Sequence, residues 1–110
     1  MGTTRETFPA SGAAENLDQL DPAALGVDGH RLTGEDPTAD NTLRAGWAAE
    51  AVLTLARRTG LLSDRNVETV STGIGDLLVN LAHLCDAADL DPELMFSTAL
   101  EDYRCELGGE

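Results

Sequence analysis

The run Gly73-Ile74-Gly75-Asp76-Leu77-Leu78-Val79-Asn80-Leu81-Ala82-His83-Leu84-Cys85-Asp86 constrains this chain more than any other stretch. At about 100° per residue, Ile74, Leu77, Leu78, Leu81, Leu84, Cys85 and Ala88 fall on one side of a helix. Asp76, Asn80 and His83 line up on the other side, so a packing face and a polar stripe share one element. The first specifies a helical fold. The second is where any chemistry would reside, and it reads either as a solvated face or as a site.

Composition points the same way. Of the 110 residues, 42% are hydrophobic, but one Trp, one Tyr and two Phe leave the core to Leu, Ala and Val. Such a core suits helices better than sheets. The expected architecture is all-α: a small antiparallel bundle of about three helices over residues 42–107, completed by oligomerisation, behind an acidic and disordered N-terminal tail over 1–41. A core of roughly 65 residues buries only about 60% of its unfolded surface, which is why a second copy is expected.

Residues 1–41 carry eight acids against Arg5 and Arg31, −6 by count, with apolar residues too sparse for a stripe. Within them, Leu17, Leu20 and Leu25 around Asp21-Pro22 form either a transient turn or a docking strip. Asn41 or Thr42 is expected to cap the first helix. That helix runs past Leu43, Trp47, Ala51 and Leu55 to Arg57-Arg58, with Gly60 as its left-handed stop. Ser63 is expected to cap a second helix, with Gly73 and Gly75 softening its middle or breaking it near Thr72. The helix should end near Ala88. Asp91-Pro92-Glu93 then opens a third helix through Phe96, Leu100, Tyr103 and Leu107.

The net charge of −13, with seven Arg and no Lys, offers no basic patch to phosphates and argues against nucleic acid or an anionic membrane as partner. No apolar run approaches eighteen residues, and no leader pattern opens the chain. Met1-Gly2 begins like a myristoylation site, yet Glu6 stands where Ser or Thr is required. Cys85 and Cys105, far apart in sequence, read as small hydrophobes in a reducing compartment. The expected location is cytoplasmic.

Gly75-Asp76-Leu77-Leu78-Val79-Asn80-Leu81-Ala82-His83-Leu84, Asp89-Leu90-Asp91-Pro92-Glu93-Leu94 and Ala99-Leu100-Glu101-Asp102-Tyr103 together resemble the MazG-like nucleoside triphosphate pyrophosphohydrolases. The resemblance spans about residues 42–107. It implies an all-α fold, a homodimer or homotetramer, Mg²⁺ or Mn²⁺, and hydrolysis of a nucleoside triphosphate to monophosphate and pyrophosphate. The family holds its metal with a Glu-Glu-x-x-Glu motif on one helix and a Glu-x-x-Asp motif on the next, because several hard carboxylate oxygens are needed around a divalent ion shielding triphosphate.

Asp76 matches the closing aspartate of the second motif, whereas its glutamate partner is Gly73 here; on the first helix only Glu50 is a candidate. The resemblance thus leaves two carboxylates of four; from the residues themselves His83 and Asn80 read either as a replacement, His83 as metal ligand and Asn80 toward a nucleotide, or as a solvated face, and Trp47 either as a packing anchor or as a nucleobase contact. The alternative is a catalytically inactive helical dimer serving as an interaction or regulatory module.

Overall fold

The computed structural model describes residues 14–29 and 31–109. It is all-helical, with three helices. Two short 3-10 turns, Leu17–Gln19 and Pro22–Leu25, precede helix α1 (Pro37–Thr59). Helices α2 (Val70–Ala87) and α3 (Pro92–Arg104) follow, and α3 closes in an irregular turn over Cys105–Gly109. Among the described residues the only extended pairings are two isolated bridges, Asn16 with Thr69 and Leu62 with Val67.

The N-terminal boundary differs from expectation. Leu17 is fully buried, and Leu20 and Leu25 join it in the core with Ala49, Val52, Leu53, Ala56 and Val70. The segment is tied to the start of α2 by two backbone bonds, from Leu17 N to Glu68 O (2.9 Å) and from Val70 N to Glu15 O (2.8 Å). The expected tail over 1–41 is therefore corrected for residues 14–29 and 31–41, where three leucines at the two turns suffice to anchor a strap across α1. The remainder of that expectation, with the Met1-Gly2 pattern, lies outside the described residues.

Helix α1 also begins earlier than Asn41. Asp36 accepts a hydrogen bond from Ala39 N (3.2 Å) with Pro37 at the first helical position, a stronger start signal than Asn41 or Thr42. Its end is as expected, with Arg57 and Arg58 in the last turn and Gly60 left-handed at φ 86°. One turn inside the start, Asp40 is buried and accepts bonds from Thr33 N (3.0 Å) and Gly34 N (2.8 Å). Those two amides, together with the Arg44 charge, hold its carboxyl below the usual range against the opposing effect of burial.

The expected helix start at Ser63 is corrected as well. Residues 61–69 form a loop in which Ser63 N donates to Asn66 O (2.8 Å) and Glu68 N to Leu61 O (2.9 Å). Thr69 caps α2 instead, accepting from Thr72 N (3.1 Å), and α2 runs unbroken through Gly73 and Gly75. No break occurs near Thr72, because Gly73 is a packing position: a Cβ there would stand 2.9 Å from Leu17 Cδ2 and 3.0 Å from Val52 Cγ1. Asp91 caps α3 by accepting from Glu93 N (3.0 Å), with Pro92 following, as the sequence predicts.

Helix α3 contributes no buried residue. It meets α2 and returns to α1 through its closing turn, where Asn41 Nδ2 donates to Glu106 O (2.7 Å) and Arg44 Nε lies 3.6 Å from Glu106 Oε2. The core is thus built from the N-terminal strap, α1 and the first turn of α2.

Candidate functional site

Helix α2 is covered only over its first turns. Val70 and Gly73 face α1 and are buried, and Asp76 and Leu77 beside them are half-buried. Ile74, Leu78, Leu81 and Leu84 lie within about 80° of Val70 round the helix yet are exposed, because α2 runs on past the core. The expectation that the leucine-rich side is the buried one is met in part at Leu77 and Cys85 and fails at Ile74, Leu78, Leu81 and Leu84.

The short covered stretch decides what becomes of the polar stripe. Asp76 comes closest to the interior, and its Oδ2 is buried without a hydrogen-bond partner. Asn80 is exposed and turns its side-chain amide back onto its own helix, donating to the Asp76 carbonyl at 2.8 Å. His83 is exposed on the last turns of α2. Glu50 and Trp47 stand exposed on α1, with Trp47 45% accessible.

Among the described residues no group of three or more His, Cys, Asp or Glu side chains is arranged to hold a metal ion. Glu50, Asp76 and His83 are accordingly not gathered into one ligand set. A hard divalent cation needs several convergent oxygens, so these three residues do not fit a resident Mg²⁺ or Mn²⁺. Nor do Trp47 and Asn80 line either of two surface grooves. One, of about 330 Å³, lies between Leu25, Arg31, Thr33, Asp40 and Leu43. The other, about 530 Å³ and more open, runs past Glu15, Thr69 and Ile74. In the first, the Asp40 carboxylate is already engaged by backbone amides.

What the structure does assemble is an apolar surface. Ten large hydrophobic residues from Ile74 to Tyr103 are exposed on α2, α3 and the turn between them, with Leu84 at 62% and Leu94 at 60%. Exposed apolar side chains mark a docking site where they gather on one face, as Ile74, Leu78 and Leu81 do on α2. The signal for it was present in the sequence, which supplies three helices with apolar stripes but too few elements to cover them all. Around this surface Asp86, Asp89, Asp91, Glu93, Glu101, Asp102 and Glu106 are exposed acids, with Arg104 the one arginine of α2–α3.

Cys85 is half-buried and Cys105 exposed, both as free thiols. Among the described residues no helix is long and apolar enough to cross a membrane. No known family matches the sequence, and no match is found among curated proteins or solved structures.

Proposed function

We propose that the protein is a helical interaction module that docks another protein chain through the exposed apolar surface of α2 and α3. The observation that carries the reading is that α3 buries none of its residues while Leu94, Met95, Leu100 and Tyr103 stand exposed beside the leucines of α2. Covering such side chains contributes roughly 25 cal/mol per Å², which is the driving force an interaction module requires. The expected homodimer or homotetramer is one way of covering the surface. Free thiols at Cys85 and Cys105 suit a reducing, cytoplasmic setting.

The test is a pair of charge substitutions, Leu84→Asp and Leu94→Asp, in the full chain. The wild type is expected to associate or to bind an environment-sensitive hydrophobic dye, and the double variant to do neither while keeping its helical circular dichroism. Collapse of the helical signal in the variant would mean that these leucines belong to an internal core, contrary to the proposal.

A second reading rests on Asp76 Oδ2, buried and without a partner. Such an atom calls for an explanation, and a cation brought in by a phosphate-bearing ligand would supply one. Under this reading the chain binds a nucleoside triphosphate with Mg²⁺ or Mn²⁺, as the MazG-like resemblance implies, with Asp76 as the retained ligand. Titration calorimetry with Mn²⁺ and mixed nucleoside triphosphates, with pyrophosphate followed in the same samples, tests it. Metal-dependent heat lost in Asp76→Asn would favour this reading, and its absence leaves the interaction module alone.

A further inference from the structure

We propose that the chain's own N-terminal segment, residues 1–13, packs along the exposed side of α2 with Phe8 on Ile74 and Leu78, so that the docking surface carries a competitor in the same chain. Ala14, where the described residues begin, lines the open groove of about 530 Å³ that runs past Glu15, Val70, Ser71 and Ile74. The segment upstream therefore departs from a wall of that groove. Ile74 at its far side is 45% exposed, and Leu78, one turn on, 47%.

Direction comes from the backbone. Asn16 pairs with Thr69 in an antiparallel bridge, flanked by the bonds from Leu17 N to Glu68 O (2.9 Å) and from Val70 N to Glu15 O (2.8 Å). In such a pair each step backward from Asn16 is a step forward from Thr69, into the first turn of α2. Ala14 has already made that step, since it shares its groove with Ser71 and Ile74. Continued, the same course takes the chain onto the face where Ile74, Leu78 and Leu81 are exposed.

Reach, size and charge single out Phe8. It lies six residues upstream of Ala14, a span of at most about 20 Å, whereas Ile74 to Leu81 covers only about 10 Å of helix. Ala10, Ser11, Gly12 and Ala13 are small enough to lie against a helix, and Phe8 is the first large apolar side chain upstream of Leu17. Pro9 favours extended backbone at Phe8 itself. Arg5 and Glu6 cancel, so residues 1–13 are neutral by side-chain count, while residues 14–110 hold six Arg against nineteen acids. A neutral segment approaches the acidic side of the molecule without net like-charge repulsion.

The contact itself stands on the groove and the course of the chain. Its role as a competitor rests on the interaction-module reading: a partner must displace Phe8, and its apparent affinity falls with the fraction of chains in which the segment is docked.

Ile74 is the single isoleucine of the chain, so its δ1 methyl is an unambiguous reporter in methyl NMR spectra of the full chain. A nuclear Overhauser contact between that methyl and the Phe8 ring is expected, with an upfield ring-current displacement. Both should be lost in Phe8→Ala while the helical circular dichroism is kept. Phe96→Leu, which removes the other phenylalanine ring, should leave both in place. A methyl that does not respond to Phe8→Ala overturns the proposal. So does a contact seen only between isotopically labelled and unlabelled chains, which would give the groove to a second copy.

Dye binding separates failure of the competitor from failure of the interaction module. Phe8→Ala should bind more of an environment-sensitive hydrophobic dye than the wild type, and adding Leu78→Asp should abolish the gain. Equal binding by wild type and Phe8→Ala, lost from both in Leu84→Asp, overturns the competitor and leaves the interaction module standing. No dye bound by either, with the methyl contact intact, overturns the interaction module and leaves the docked segment standing.

Discussion

Two glycines two residues apart on α2, and so on opposite sides of it, do opposite things. A methyl at Gly73 would press on Leu17 Cδ2 and Val52 Cγ1, both in the core, whereas nothing lies within 4 Å of one at Gly75. Gly75→Ala should therefore stabilise the fold by about 1 kcal/mol through helix propensity. Gly73→Ala should destabilise it by about 1 kcal/mol, because overpacking against fully buried Leu17 outweighs the same gain. Chemical denaturation of the two variants checks both signs.

Asp40 sets a pH dependence. Its folded carboxyl titrates below the ordinary value, first because Thr33 N and Gly34 N donate to it. The stability it contributes is full above the unfolded pKa of about 3.9 and is lost as pH falls through the folded value. Thermal melts of wild type and Asp40→Asn should differ at neutral pH and converge in acid. A gap that widens in acid would contradict the clamp. In the sequence Asp40 was only one acid of a presumed tail, since nothing local marks a carboxylate whose partners lie six and seven residues upstream.

At the scale of elements, the ends of helices were more legible than their faces. Arg57, Arg58 and Gly60 close α1, and Asp91-Pro92 open α3, where local capping chemistry alone decides. The same chemistry was available at Asp36-Pro37 but was obscured by the acid-rich composition around it. Asp36→Ala should cost about 1 kcal/mol, while Thr42→Ala should cost little, since the Thr42 hydroxyl merely donates to Thr38 O inside the helix. How much of α2 is covered was not legible, because periodicity identifies an apolar stripe without saying what will cover it. The contact with Leu17 and Val52 is made at Gly73, near the start of α2, and joins residues distant in sequence. The candidate site suffered for the same reason: Asp76, Asn80 and His83 share a helix, yet only Asp76 approaches the interior.

Taken whole, the molecule has a small core at one end and an unpartnered apolar surface over α2 and α3. Leu17, Leu20 and Leu25 belong to the core, so a truncation that begins at residue 31 should lose its cooperative thermal transition. The surface is the centre of the account, and hydrogen exchange followed at low and at high protein concentration reports on it element by element. Amides of α2 and α3 are predicted to exchange more slowly as concentration rises, while those of Leu43 to Ala56 on α1 keep their rates. Slowing centred on α1 or the N-terminal strap would contradict the assignment of α2 and α3 as the docking surface.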